Sequence, residues 1–120
     1  MKVVNVSAVK KQHISAPLFT GPVVRQSPVV DNEGSDLSID YVHFPKGIRN
    51  KFHTHSNDQV LIVTKGKGIV ANKTEQQTIK VGDVAWIPAG ETHWHGATDD
   101  SEFTHVSVTR SHSKLAQIEK

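Results

Sequence analysis

Two histidines stand one residue apart at the start of a strongly apolar stretch, KFHTHSNDQVLIV at residues 51–63. Side chains at positions i and i+2 of a strand project from the same face, about 6–7 Å apart. The imidazoles of His53 and His55 can therefore converge on one ion. A bend over the three polar residues that follow would bring Gln59 back to the same side, with its amide oxygen available as a ligand. His93 follows the turn-forming PAGET and would bring a third imidazole from a different strand.

Three imidazoles and one amide oxygen predict a site for one divalent transition metal per chain. An octahedral ion would keep two open positions, which is typical of catalytic rather than structural sites. Nitrogen and oxygen ligands without thiolate suit Mn, Fe(II), Co, Ni, Cu(II) or Zn, and spacing alone does not choose among them. The alternative interpretation is that the pair His53 and His55 is a surface feature that binds nothing, with Gln59 a polar residue at a strand start.

Two more histidines are placed to act beside such an ion. His95 lies two residues after His93 and points to the same interior, and His105 shares a strand face with Phe103 and Ser107. A neutral imidazole is a suitable general base near pH 7, and a neighbouring cation lowers its pKa. We predict His105 and His95 as catalytic candidates. Either one can instead orient a metal ligand or satisfy a buried backbone group.

Short apolar runs alternate with turn signals along most of the chain. The runs are rich in branched and aromatic residues and lie at 37–44, 60–63, 69–71, 84–87 and 103–108. The turn signals are KGKG at 65–68, ANKT at 71–74, VGD at 81–83, PAGE at 88–91 and TDDS at 98–101. Strands punctuated this regularly predict an all-β sandwich or barrel with negligible helix. Gly66 and Gly68 are expected to allow a tight hairpin, and Pro88 with Gly90 to set the turn before His93.

The two ends of the chain differ from its centre. Residues 1–30 hold three prolines among valines, which predicts edge strands and connecting loops, because proline cannot donate a hydrogen bond inside a sheet. Residues 111–120 are expected to form one helical turn or a loose tail. We place the barrel at 37–109, within one domain that spans 1–120, since 120 residues is close to the commonest domain size.

Composition excludes several classes of protein. The net charge is +2, and the 14 Lys and Arg residues are scattered, so nothing indicates nucleic acid binding. The absence of cysteine excludes disulfides and thiolate chemistry. No apolar run approaches the roughly 20 residues that span a bilayer, and the N-terminus lacks the apolar core of a signal peptide. We therefore expect a cytoplasmic protein with a small-molecule partner and no nucleic acid or membrane partner.

Three aromatic or titratable residues are expected to lie outside the site. Val42 and Phe44 are expected to face the interior, so His43 between them should face solvent or a partner. Trp86 and Trp94 are expected to pack or to lie at an interface rather than to hold a ligand.

The spacing of glycines, histidines and proline resembles that of the small single-domain cupins. Their first motif, G-x5-H-x-H-x(3,4)-E-x6-G, is matched at Gly47, His53, His55, Gln59 and Gly66, with glutamine in place of glutamate. Their second, G-x5-P-x-G-x2-H-x3-N, is matched at Gly82, Pro88, Gly90 and His93, with Ala97 in place of asparagine. The resemblance implies a double-stranded β-helix, or jelly-roll, barrel that holds a metal at positions 53, 55, 59 and 93.

The glutamine is informative within this family. It keeps an oxygen ligand but removes one negative charge, which leaves the ion a stronger Lewis acid and can weaken its binding. HTHSNDQVLIVTKGKG and VGDVAWIPAGETHWHGATDD resemble a cupin subgroup that includes manganese-dependent bacterial hydroxynitrile lyases and cupins associated with carboxymuconolactone decarboxylases. In that subgroup a glutamine is the usual fourth ligand and a histidine stands at the place of His105. The resemblance therefore favours manganese.

These features favour a metal-dependent enzyme that binds a small oxygen-bearing substrate and performs lyase-like chemistry. An Fe(II)-type dioxygenase uses the same ligands, and a non-catalytic barrel that binds a small molecule is a further alternative. A structural protein that has lost its metal is disfavoured, because all four ligand positions carry competent side chains. Apolar edge strands and the habit of small cupins to pair through their N-terminal strands predict a homodimer.

Overall fold

The computed structural model describes residues 1–30 and 33–120. Those residues form one 3₁₀ turn at Val6–Ala8 and ten strands: β1 (Gln12–Ile14), β2 (Val23–Val29), β3 (Leu37–Phe44), β4 (His53–His55), β5 (Gln59–Asn72), β6 (Gln76–Lys80), β7 (Val84–Ile87), β8 (His93–Ala97), β9 (Phe103–Arg110) and β10 (Leu115–Gln117). No helix in these ranges is long and apolar enough to cross a membrane.

The strands pair antiparallel in two sheets that share β5. The first sheet runs β1-β2-β3-β9-β5, and β7 pairs with the other side of the first half of β5. In the second sheet, the later half of β5 pairs with β6 and β8, and β8 continues to β4 and β10. This is the jelly-roll barrel that the sequence predicts, and its nearly helix-free composition is confirmed.

Strand β5 corrects one sequence prediction. The KGKG stretch forms no hairpin: β5 continues through it, with a register shift against β9 between Val63 and Lys65. Gly66 has φ 71°, and a Cβ there would lie 1.8 Å from the carbonyl oxygen of Glu102. A Cβ on Gly68 would lie 2.6 Å from the Phe103 ring. The glycines therefore bend one strand from the first sheet into the second and allow close approach to β9.

The ends of the chain are more regular than their sequence indicates. β1 lies at a sheet edge, whereas β2 is paired on both sides, by β1 and β3. Its Pro28 lies inside a register shift between Gln26 and Val29, where a missing N–H is tolerated. The expectation of a helical or loose tail is wrong, because β10 pairs with β4 in the register Leu115↔His55.

An apolar core lies against the histidine-rich end of the barrel. Its buried members are Val23, Phe44, Val63, Ile79, Ala97 and Phe103. The Phe44 ring packs 5.8 Å from the Phe103 ring and 5.4 Å from the His105 ring, measured between centroids. The interior histidines therefore pack against apolar side chains on one side, which excludes water there.

Candidate metal centre

Three imidazoles meet inside the barrel. His53 and His55 come from β4, and His93 comes from β8, where it lies directly opposite His53 in the strand register. One ring nitrogen from each lies within 4.8 Å of the others, so the cluster could hold a metal ion. The two-residue period of β4 puts both of its histidines on one face, as the sequence predicts.

Backbone carbonyls orient two of these rings. The Nδ1 atom of His53 lies 2.6 Å from the carbonyl oxygen of Lys51, and Nδ1 of His93 lies 2.9 Å from that of Glu91. A carbonyl can only accept, so Nδ1 carries the proton in each ring. The lone pair of each ring is then on Nε2, which is the usual arrangement of metal-binding histidines.

His55 supplies the observation that tests whether a metal fits. Its Nε2 atom is buried and has no hydrogen-bond partner. Leaving a buried polar atom unpaired costs about 1–3 kcal/mol. A cation within the cluster would satisfy it, and the Nε2 atoms of His53 and His93 are available beside it. The residues therefore fit a divalent transition metal.

Gln59 reaches the same cluster from the start of β5. The bend at residues 56–57 precedes it, and its side chain is only 5% exposed. Its Oε1 atom lies 3.1 Å from Nε2 of His93, while its Nε2 donates to Oγ of Ser107 at 2.8 Å. Because His93 Nε2 carries a lone pair, two acceptors face each other. A cation beside both would turn this repulsion into joint coordination.

Burial keeps the cluster neutral. Desolvation, reinforced by the neighbouring His93, lowers the pKa of His53 to about 3 and that of His55 to about 4. Desolvation also lowers the pKa of His93. Neutral imidazole is the form that binds metals, so the cluster is ready for an ion near pH 7 without losing protons.

His95 and His105 form a second buried pair against the first cluster. Nε2 of His105 lies 3.1 Å from Nδ1 of His95, and Nδ1 of His105 has no partner. The His95 ring lies 5.7 Å from that of His93 and 5.8 Å from that of His53. Desolvation lowers the pKa of His105 to about 3 and holds that of His95 well below 6.5. Both are therefore neutral bases next to the candidate metal position.

Asn50 is a site residue that sequence reasoning missed. It is 3% exposed, its Oδ1 accepts from the His95 backbone N–H at 2.8 Å, and its own N–H donates to the His95 carbonyl at 3.0 Å. Its Nδ2 also lies 3.2 Å from Nε2 of His95. In the sequence Asn50 stands between Arg49 and Lys51, and no motif or spacing marks it as a site residue. Only the approach of the 49–50 segment to β8 identifies it.

A cavity of about 150 Å³ connects the histidines to solvent. Its polar lining includes His53, His55, Gln59, His95 and His105, and its apolar lining includes Leu18, Phe19, Val23, Val42 and Phe44. Arg25 and Asp40 also line it, and Asp40 accepts a hydrogen bond from Ser27. Val42 and Phe44 thus face the interior, as the sequence predicts.

His43 lies on the outer face of β3, where it is half-buried. Its Nε2 lies 2.8 Å from Oε1 of Gln26 and its Nδ1 lies 3.0 Å from Oγ1 of Thr104. Gln26 in turn donates to the carbonyls of Val6 and Val9. Gln26 therefore links His43 to the N-terminal segment, and desolvation lowers the pKa of His43. Strand alternation correctly puts His43 on the outer face, but these contacts leave it half-buried rather than fully in solvent.

The two tryptophans have different surroundings. Trp94 is 9% exposed, and the Arg49 guanidinium lies 4.6 Å from its ring centroid, so it packs on the outer side of β8. Trp86 is 65% exposed, and its Nε1 donates to the carboxylate of Asp58 at 2.9 Å. Neither ring lines the histidine cavity.

Comparison with known proteins places this arrangement in a family. A family model for the cupin domain matches residues 40–109, more than half of the chain. The chain is 41% identical over 68 residues to an (R)-mandelonitrile lyase of Granulicella tundricola, which covers 56% of this chain and 52% of that protein. It is 30% identical over 70 residues to acireductone dioxygenase 1 of Pectobacterium atrosepticum, and the match covers 52% of this chain and 40% of that protein. The chain thus spans about half or less of the length of these relatives.

Solved structures share the fold over nearly the whole chain. A cupin-like protein from Thermotoga maritima matches with a TM-score of 0.87 at 30% identity, covering 94% of this chain and 89% of that one. A polyketide cyclase from Streptomyces resistomycificus has the same TM-score at 15% identity, covering 100% and 87%, and supports the fold alone. The matched region includes every candidate ligand and both neighbouring histidines, so the chain belongs to the cupin family.

Proposed function

We propose that this cupin is a metal-dependent enzyme that reversibly cleaves a carbon–carbon bond in a small hydroxyl-bearing substrate of the cyanohydrin type. The observation that carries the proposal is the buried pair His95 and His105, which lies against the three-histidine cluster in a cavity open to solvent. A structural metal site needs no unpartnered base beside it. The similarity to an (R)-mandelonitrile lyase supports the reaction class.

His53, His55 and His93 would hold the metal, with the amide oxygen of Gln59 as fourth ligand. A divalent cation there supplies Lewis acidity toward a substrate oxygen. Manganese is our choice of ion, because the sequence resembles manganese-dependent hydroxynitrile lyases. The amide orientation that presents this oxygen is held by Ser107, which accepts from the amide nitrogen.

His105 is the proposed general base. If its Nε2–H donates to Nδ1 of His95, its unpartnered Nδ1 carries a lone pair that can take the substrate hydroxyl proton. The C–O bond then becomes a carbonyl as the bond to the nitrile carbon breaks, and its electron pair leaves with cyanide. Cyanide receives the proton back from His105 and departs as HCN. With this tautomer, Nδ1 of His95 accepts from His105 and positions its ring.

The walls of the cavity restrict the substrate. A volume of about 150 Å³ suits a small molecule, and the apolar side formed by Phe19, Val42 and Phe44 suits an aliphatic or aromatic substituent. The polar end lies at the histidines. A substrate with one oxygenated carbon and one apolar group matches this division.

The test is turnover of mandelonitrile by the manganese-loaded protein, with and without oxygen. We expect cleavage that requires the metal and survives oxygen removal. His105→Ala should reduce turnover by about 10²-fold or more while the metal stays bound, and His55→Ala should lose the metal. His13→Ala, on an exposed position of β1, is the matched control and should change neither. Full activity of His105→Ala would refute the assigned base.

A dioxygenase is the second candidate, because the chain also matches acireductone dioxygenase 1. The same ligands would then hold Fe(II), and turnover of an enediol or diketone would stop without oxygen. A binding protein is the third candidate. Stable metal occupancy with no turnover across hydroxynitriles, enediols and diketones would favour it and contradict the proposed enzyme.

A further inference from the structure

The wall of the histidine cavity carries two side chains of opposite charge, Arg25 on β2 and Asp40 on β3. Arg25 pairs with the inward-facing Val42 in the strand register, and Asp40 lies two residues before Val42 on the same strand, so all three share the inner face. Arg25 is exposed and Asp40 is half-buried. A charge on the inner face of a barrel loses part of its hydration, and neither residue belongs to the candidate metal centre.

Arg25 and Asp40 are held by different neighbours rather than by each other. Nε of Arg25 donates to Oε1 of Gln12 at 3.0 Å, and Oδ1 of Asp40 accepts from Oγ of Ser27. Within residues 1–30 and 33–120, no ion pair joins Arg25 to Asp40, and the terminal guanidinium nitrogens and Oδ2 of Asp40 have no hydrogen-bond partner. Diagonal neighbours across an antiparallel pair lie about 7–8 Å apart, which leaves room for one small polar group between the two side chains.

The strand register orders the cavity wall from the proposed base to this charged pair. His105 on β9 pairs with Val42 on β3, and Val42 pairs with Arg25 on β2. Neighbouring strands lie about 4.8 Å apart, so the backbones at His105 and Arg25 are about 10 Å apart, with the apolar Val42 between them. A substrate that extends from His105 along this row passes over Val42 and ends beside Arg25 and Asp40.

We propose that the charged pair Arg25 and Asp40 is a second binding point, which selects uncharged substrates with a hydroxyl at the end opposite the metal. A hydroxyl can accept from the guanidinium and donate to the carboxylate at the same time. A carboxylate on the substrate would be repelled by Asp40, and an ammonium by Arg25. The inference rests on the proposed function and narrows its substrate to a molecule with two oxygen functions, such as a cyanohydrin that carries a para-hydroxyphenyl group.

Ligand binding without turnover tests the charged pair. Benzyl alcohol and para-hydroxybenzyl alcohol differ by one hydroxyl and carry no nitrile, so neither can react as a cyanohydrin. Paramagnetic broadening of their proton NMR signals by the manganese-loaded protein gives both dissociation constants. The wild type should bind the hydroxylated alcohol about 10-fold or more tighter, because a binding site with charged hydrogen-bonding groups discriminates against an analogue that lacks the hydroxyl.

Alanine variants of the pair should remove this preference. Asp40→Ala and Arg25→Ala should each reduce it to about threefold or less, because the hydroxyl loses its acceptor or its donor. Asp36→Ala and Arg110→Ala remove the same kinds of side chain at exposed positions and should keep the wild-type preference. Thermal melting and the manganese dissociation constant of each variant report whether the fold and the metal centre survive.

The outcomes separate this inference from the proposed lyase. Equal binding of the two alcohols by the wild type would overturn the second binding point, and so would a preference that persists in either alanine variant of the pair. Both results leave the lyase in place, because turnover of mandelonitrile is measured separately. An intact preference without mandelonitrile turnover would contradict the lyase alone and support the second binding point, whereas a wild type that binds neither alcohol would overturn both.

Discussion

The substitution His55→Ala separates a metal site from a structural histidine cluster. In the metal-free protein the buried Nε2 of His55 has no partner, so the ring carries an uncompensated polar atom. In the metal-bound protein the same atom is proposed as a ligand. The variant should therefore lose metal binding without losing metal-free stability. A histidine retained for packing would show the reverse pattern.

The expected change in metal-free stability can be worked out from the surroundings of His55 and compared with that for its neighbour His53. Removing the unpaired Nε2 of His55 should stabilise the metal-free protein by about 1–3 kcal/mol. Loss of the apolar contacts of the half-buried ring should destabilise it by roughly 1 kcal/mol. The net change is between about 0 and 2 kcal/mol of stabilisation. His53 is 1% exposed and bonded to the Lys51 carbonyl at 2.6 Å, so His53→Ala should cost about 2–4 kcal/mol.

The two variants should differ most clearly in the absence of metal. The two variants differ by about 2–6 kcal/mol, so at about 4 °C per kcal/mol for a domain of this size His55→Ala should melt roughly 8–24 °C above His53→Ala. Manganese at 100 times its dissociation constant should stabilise the wild type by about 2.7 kcal/mol. Neither variant should gain this increment, because each has lost one of three imidazoles.

Differential scanning calorimetry of the metal-free and manganese-loaded forms measures the melting temperature of each protein and the increment that manganese adds. Isothermal titration with manganese gives the affinities directly, and His13→Ala serves as the control for histidine removal at an exposed position. The reasoning is refuted if His55→Ala loses more than about 2 kcal/mol of metal-free stability and still binds manganese as the wild type does. That outcome would mean that the ring packs rather than coordinates.

Three other changes test separate parts of the structure. Gln59→Glu adds a buried carboxylate, so titration calorimetry should show manganese binding at least about 10-fold tighter, and the metal-free protein should melt lower; unchanged affinity would exclude residue 59 as a ligand. Glu119→Ala removes the acceptor of the Phe52 N–H and of the Arg49 guanidinium, at 2.9 Å each, which should loosen β10 against β4 and weaken manganese binding. Because these contacts lower the pKa of Glu119, their contribution to stability is present above about pH 4.5 and is lost as pH falls further. Glu102→Ala, at an exposed ion pair, is the control. Urea denaturation of the metal-free protein should show that the free energy of unfolding falls as pH is lowered from about 6.5 toward 3. Each histidine whose pKa is lowered by burial, such as His105, contributes up to about 1.4 kcal/mol per pH unit. A flat profile would contradict the burial of these histidines as neutral rings.

The positions of the candidate ligands follow from local rules. The two-residue period of a strand puts His53 and His55 on one face, and the polar bend before β5 returns Gln59 to that side. The turn at residues 88–91 precedes His93 in both sequence and structure. The branched runs identify the strands, since β3 and β7 have the predicted bounds. Each of these inferences uses residues within a few positions of one another.

Other features depend on residues that are far apart along the chain. Gly66 and Gly68 look like hairpin residues until Glu102 and Phe103 on β9 occupy the space that their side chains would need. The tail looks polar and loose, yet β10 is held by the backbone of β4, some 60 positions earlier. Local pattern cannot weigh such contacts, because their free energy appears only when two distant segments meet.

The sequence by itself determined the fold class, the metal-binding residue types and their common strand faces. Tertiary structure alone decided that Nε2 of His55 lacks a partner, that Asn50 holds the backbone of His95, and that Gln26 links His43 to the N-terminal segment. It also aligned Ile39, Val108, Val60 and Trp86, from four different strands, in one row across the sheet. The physical reason is range: strand period and turn preference act over neighbours, whereas burial and the pairing of polar atoms depend on what the rest of the chain brings to the same place.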